Sequence, residues 1–207
     1  MTTPLNVAAL VDAIEAGEKF TYRFFWSHRA RKDGRLSDSC FSQWWPSKFE
    51  VDGQSYANAE QWMMSSKARL FGDHESETRI MATDDPNEIK TLGRRVRGFV
   101  QDRWDAACFD LVSVGSIAKF EQNGALTKYL LATGEDLLVE ASPLDVVWGI
   151  GFARDAPEAQ DPRAWRGQNL LGFALIRARG VIRGELEAVS IPGPGVEAPC
   201  VKDNGPT

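Results

Sequence analysis

The segment Tyr56-Ala-Asn-Ala-Glu60-Gln-Trp-Met-Met-Ser-Ser-Lys67-Ala-Arg-Leu-Phe71 carries the densest chemistry of the chain. Wound as a helix at about 100° per residue, it puts Glu60, Met63, Met64, Lys67 and Phe71 on one face. Two ionisable groups then share a stripe with Met and Phe. Glu60 falls in the first turn, where the helix dipole favours a carboxylate. Lys67 lies seven residues on, a rise of about 10.5 Å at about 1.5 Å per residue. That is too far for an i,i+4 ion pair. The two groups either flank a ligand or edge the apolar face with their charges reaching solvent.

Two further clusters could do chemistry. Lys90, Arg94 and Arg97 recur at i, i+4, i+7 after Pro86. As a helical stripe they are either a phosphate or pyrophosphate clamp, suited to guanidinium forks, or a solvated charged face. Gly93 inside that stretch costs about 1 kcal/mol relative to Ala and implies a close approach by another group. In Pro143-Leu-Asp-Val-Val-Trp-Gly-Ile-Gly151, Asp145 and Trp148 suit an extended edge that stacks and hydrogen-bonds a base. Read structurally, Trp148 is core and Asp145 caps a turn. In Phe41-Ser-Gln-Trp-Trp-Pro46, one indole is expected in the core and the other at a pocket.

Other chemistries find no footing. There is no C-x-x-C or H-x-x-x-H, and the only histidines are His28 and His74, so no zinc site is expected. G-x-S-x-G and the P-loop are absent, and Gly149-Ile-Gly151 lacks the third glycine of a dinucleotide fingerprint. Cys108 falls on an apolar helical face and reads as a small buried hydrophobe. Acid–base work therefore falls to carboxylates, lysines or tyrosines. The 24 basic against 29 acidic residues, a net charge of −5, exclude a strongly basic coat but leave room for a local basic cleft. No apolar run approaches the roughly 20 residues of a membrane helix. The acids within the first apolar stretch do not fit a signal peptide. Three widely spaced cysteines suggest a reduced, intracellular (cytoplasmic) setting.

The elements that must position these groups follow from periodicity and punctuation. Residues 4–17 read as a short amphipathic helix ending at Gly17, and Phe20–Trp26 as an aromatic strand. Residues 27–40 read as a loop, and 48–56 as a hairpin about Asp52-Gly53. Asn58 with Gln61 predicts the cap of the Glu60 helix, which stops at Gly72. Pro86 opens the next helix. Helices are expected over 100–121 and 124–132, extended chain over 137–142 and 145–151, and a last helix from Asn169 to Gly180. The Pro- and Gly-rich tail is expected to be mobile. The fold class expected is α+β: one predominantly helical domain with a small mixed or antiparallel sheet. Its parts would be a helical extension (1–20), the main domain (21–185) and the tail (186–207).

Taken together, several segments resemble the NADAR, or YbiA-like, family. They are residues 41–73, Pro86…Lys90-x-x-Gly93-Arg94-x-Val96, Trp104, Lys119-Phe120, Leu131-x-Thr133-Gly134, Glu140-Ala-Ser-Pro-x-Asp145-x-x-Trp148-Gly149, and Trp165-x-Gly167-x-Asn169-x-Leu171-Gly172. The resemblance spans about residues 22–180. It departs from some relatives at Gln43-Trp44, where they have Asn-Phe, and at Gln61, where they have His. The resemblance implies an N-glycosidase-type hydrolase acting on ribosylated nitrogen. It implies catalytic roles for Glu60, Lys67 and Asp145, and substrate binding by Lys90, Arg94, Phe25, Trp45, Gln43, Trp104, Trp148, Gly149 and Asn169. Two substrates are implied: ADP-ribose on guanine bases of nucleic acid, or a small phosphoribosylamino-pyrimidine of riboflavin synthesis. A non-catalytic ADP-ribose-binding module is the third reading. No metal, cofactor or membrane is required.

An N-glycosidic bond breaks through an oxocarbenium-like sugar, which calls for a nearby carboxylate. Glu60 would stabilise that cation, activate water or bind ribose hydroxyls. The leaving amine would take its proton from Glu60, Asp145 or water. Lys67 would bind phosphate or, with a lowered pKa, form a Schiff base with the opened sugar. Arg94 and Lys90 would hold phosphate, and Trp148 or Trp45 would stack the base.

Overall fold

The structure is a computed structural model and describes residues 3–191. Asn58 caps helix α2 (Ala59–Leu70) by accepting from the Gln61 N–H. The Gln61 amide reaches back to the Ala57 N–H, 2.7 Å away. Gly72, at φ +69°, ends the turn that follows. α2 is buried on nearly every side, so it is a central helix and its polar residues are enclosed. The long helix α5 (Gln101–Glu121) lies between α2 and the last helix, α7 (Leu170–Arg183). The short helices α3 (His74–Met81) and α4 (Pro86–Gly93) pack on the far side of α2, and α6 (Gly124–Leu131) packs on α5. Helix α1 (Val7–Glu15), capped by the Asn6 side chain, buries Leu10 in the common core.

The strands form two separate pairs, where one small sheet was expected. β1 (Tyr22–Phe25) lies parallel to β4 (Leu137–Glu140), with Tyr22 opposite Leu137 and Phe25 opposite Glu140. Leu137, Leu138 and Val139 are all buried, the continuous apolar run of a strand covered on both faces. β2 (Phe49–Val51) and β3 (Gln54–Tyr56) form the expected hairpin. Asp52 and Gly53 both have positive φ, as a two-residue type I′ turn requires.

Four expectations are corrected. Residues 145–151 are not extended: the Asp145 carboxylate accepts from the Val147 and Trp148 N–H groups at 2.9 and 2.8 Å and wraps the chain into turns. This is the local competition that Asp offers to ladder bonding. α4 stops at Gly93, so Arg94 is its C-cap. Arg97 turns away to Asp73 and Glu75, and the three-residue basic stripe does not form. α7 runs through Gly180 and ends at Gly184, φ +75°. α3 was unforeseen because it buries only Ile80. The expected mobile tail lies outside the described residues from 192 onward, as does Cys200.

Candidate active site

A cleft of about 760 Å³ opens where α2, the end of α4, the start of α5, the end of β4 and the Asp145 turn converge. The candidates Glu60, Lys67, Asp145, Lys90, Arg94, Gln43, Trp104 and Trp148 all line it. The first turn of α2 delivers Glu60, whose N–H donates to the Gln43 carbonyl at 3.1 Å. Met63, Met64 and Lys67 follow along the same wall, as the helical spacing required. Gly93 is the close approach anticipated from sequence: a Cβ there would sit 2.0 Å from the Met64 sulfur.

Four candidates do not line the cleft. Phe25 is core, edge-on to Phe41 at 5.5 Å between ring centroids. The next side chain, Trp26, points out instead and is 57% exposed at the cleft. Trp45 packs on the core, while its neighbour Trp44 lines the cleft, where its indole favours the Glu60 anion. Asn169 is fully buried at φ +51°. Its amide donates to the Leu138 carbonyl at 3.0 Å and its oxygen accepts from the Glu140 N–H at 2.9 Å. It holds the end of β4, and its neighbours Gln168, Leu170 and Leu171 line the cleft instead. Gly149 is a spacer: a Cβ there would lie 2.8 Å from the Glu140 carbonyl oxygen.

Glu140, which stands in a segment of the family resemblance, was given no role from the sequence. It enters the cleft from the end of β4, and its Oε2 is buried with no hydrogen-bond partner among the described residues. The available signal was an acid closing an all-apolar strand; ligands tend to gather at the carboxyl ends of parallel strands. Lys119, fully enclosed on α5, likewise stands in a segment of the resemblance and was given no role. The Lys119 ammonium donates to the carbonyls of Cys40 and Ser42 at 2.7 and 2.8 Å and so fixes the segment that presents Gln43 and Trp44.

The electrostatics are those of a dry carboxylate site. Burial raises Glu60 to about 7, against the opposing pull of Lys90, the Trp44 indole and Arg94. Burial raises Glu140 to about 8, with the charges of Asp145 and Glu60 pushing the same way. Desolvation lowers Lys67, whose ammonium sits 4.2 Å from the Phe99 ring centroid and 5.6 Å from that of Trp104. Lys90 sits over the Trp44 ring at 5.5 Å, and His28 packs on the same indole at 5.1 Å. Burial pushes the Cys108 thiol up to about 11, which leaves it an inert wall residue at neutral pH. Among the described residues, no group of three or more His, Cys, Asp or Glu side chains is placed to hold a metal ion, and no helix is long and apolar enough to cross a membrane.

Fold and site together define a helix-rich α+β domain with a carboxylate-centred, cation-rimmed cleft. The NADAR domain profile matches residues 24–183, and the chain belongs to that family. It is 42% identical over 164 residues to N-glycosidase R617 of Acanthamoeba polyphaga mimivirus, which covers 77% of this chain and 96% of that protein. It is 34% identical over 113 residues to the chloroplastic riboflavin biosynthesis protein PYRR of Zea mays, covering 53% of this chain and 16% of that protein. The NMR structure of the Escherichia coli protein YbiA shares the fold, with a TM-score of 0.64 at 24% identity over 81% of this chain and 88% of that one.

Proposed function

We propose that this protein is an N-glycosidase that removes ADP-ribose from guanine bases in nucleic acid. The observation that carries the chemistry is the buried Glu60 carboxyl, set among Lys90, Arg94 and the Trp44 indole in one cleft. Relatives named N-glycosidases support the reaction class. As the C1′–N bond lengthens, the sugar gains oxocarbenium character, and an ionised Glu60 stabilises it and orients the attacking water. Lys90 and Arg94 hold the phosphate or pyrophosphate. Trp44 replaces Trp45 as the stacking ring, and Trp148 lines the same cleft. Lys67, partly desolvated, supplies either a neutral amine for a Schiff base with the opened sugar or a cation for phosphate. Lys67→Arg separates these roles, since a guanidinium keeps the charge and cannot form the Schiff base.

The polymer reading is favoured by the loop leading from Trp26. Residues 27–35 carry four cations and one carboxylate. Arg29, Lys32 and Arg35 are exposed and engage no carboxylate among the described residues. Cations placed beyond the cleft suit the phosphates of a continuing strand. The second reading, cleavage of a small phosphoribosylamino-pyrimidine, is favoured by the similarity to PYRR. One assay decides. The purified protein is given an oligonucleotide carrying ADP-ribosyl-guanine and, separately, a phosphoribosylamino-pyrimidine, each with a Glu60→Gln control. Glu60-dependent release of ADP-ribose is expected. Cleavage of the small substrate alone transfers the assignment to the second reading. Tight ADP-ribose binding with no turnover leaves a binding module.

A further inference from the structure

Glu60 alone cannot both be ionised beneath the sugar and supply the proton that the departing nitrogen needs. We infer that Glu140, at the carboxyl end of β4, is the proton donor to the leaving nitrogen. This inference rests on the glycosidase reading above, and it uses a residue which that reading leaves idle.

The argument is one of surroundings. Glu140 Oε2 is buried, lines the cleft and has no hydrogen-bond partner among the described residues. A buried ionised carboxylate without donors is strongly disfavoured, whereas a protonated one carries an O–H free to donate. Glu60 differs: Lys90, the Trp44 indole and Arg94 favour its anion against the charge of Asp145. The groups facing Glu140 are Glu60 from α2, Lys90 from α4 and Asp145 from the following turn. Lys67, Arg94, Asp105, His28 and Cys108 complete the charged and titratable lining of the cleft. Two of the three charged groups that act on Glu140 are acids, so Glu140 keeps its proton while Glu60 gives its own up. Pairs of carboxyls driven apart by their environments divide acid and base roles in this way. The backbone that carries Glu140 is also held: Asn169 accepts from the Glu140 N–H and donates to the Leu138 carbonyl.

The step balances. The C1′–N bond breaks and its electron pair stays on nitrogen, which takes the proton from Glu140. Water adds to C1′ and passes a proton to Glu60. Proton return from Glu60 to Glu140 restores both groups.

Glu140→Gln is close in shape and tests the assignment. On the substrate that the wild type cleaves, kcat should fall about 10²–10⁴-fold, the usual worth of general acid catalysis, with KM nearly unchanged. The alkaline limb of the wild-type pH–rate profile should vanish from the residual rate. A probe with a 4-nitrophenolate leaving group, which needs no proton, should lose far less. Infrared difference spectroscopy at pH 7 provides a readout independent of turnover. A protonated-carboxyl band that persists in Glu60→Gln should disappear in the Glu60→Gln/Glu140→Gln double variant. A kcat within about threefold of wild type, or no such band, overturns the inference while leaving the glycosidase reading intact. Failure of the wild type to cleave any N-riboside refutes that reading instead, and the infrared band still reports whether Glu140 holds a proton.

Discussion

Glu60→Gln should abolish turnover and make the protein more stable in alkaline solution. Burial moves the Glu60 carboxyl from its ordinary value of 4.5 to about 7, so the folded state holds this proton more tightly than the unfolded chain. The sign follows from linkage. The stability that the proton confers is complete below pH 4.5 and is lost as the pH rises through 7. At about 1.4 kcal/mol per tenfold difference in proton affinity, the full loss by pH 9 is about 3 kcal/mol, an upper figure given local relaxation. Glutamine has nothing to ionise and escapes that loss. A gain of about 1–3 kcal/mol corresponds to a rise in Tm of about 3–10 °C for a chain of this size. Scanning calorimetry of wild type and variant at pH 5, 7 and 9 is the assay. The Tm difference should be near zero at pH 5 and widen to pH 9. Parallel pH dependences in the two proteins would refute the claim that Glu60 is held in a low-dielectric site.

Three other perturbations have defined outcomes. Trp44→Phe removes the indole donor that favours the Glu60 anion, so the acid limb of the pH–rate profile should move up by about half a unit to one unit. Gly93→Ala places a Cβ 2.0 Å from the Met64 sulfur and 3.1 Å from its Cβ. Met64 should be driven into the cleft, raising KM several-fold and costing about 1–3 kcal/mol in denaturant unfolding. Lys119→Met strips the Cys40 and Ser42 carbonyls of a shared donor. A loss of about 2–4 kcal/mol is expected, and the surviving folded enzyme should show a lowered kcat because Gln43 and Trp44 are no longer held.

What the sequence disclosed was whatever depended on local spacing. Glu60 and Lys67 were legible because a 3.6-residue period fixes which side chains share a wall, whatever packs around them. Asp145 was legible as a residue, and the turn that its carboxylate caps was one of two readings open, although the apolar pattern of Val146-Val147 favoured extended chain. The order of Trp44 and Trp45 could not be read, since the chain there is a short 3-10 turn (Asp38–Phe41) followed by irregular backbone with no period. Arg97 was misplaced because its partner, the Asp73 carboxylate, caps a helix that the polar run 74–81 does not announce. Glu140 was hidden for a different reason. Its environment is made by Glu60 of α2 and Lys90 of α4, which the tertiary fold brings to the same cleft from elsewhere in the chain.

That distance explains why the residues around the cleft are as constrained as those within it. A pocket that keeps two carboxyls dry works against its own stability, so neighbouring structure must hold it in place. Asn169 does this with two hydrogen bonds to β4 from a left-handed backbone position, where Asn is among the few non-glycine residues tolerated at low strain. Gly149 lets the Asp145 turn lie against the Glu140 carbonyl. Lys119 gives up solvation to tie down the backbone that presents Trp44; desolvation drops its pKa to about 7. None of the three need touch substrate. Asn169→Asp should therefore separate the two duties. It preserves the acceptor for the Glu140 N–H, loses the donor to Leu138 and adds a charge near β4. If β4 positions the proton donor, kcat should fall with KM little changed and with an altered alkaline limb. A variant with normal kcat and only a lower Tm would show that the β4 clamp serves the fold alone.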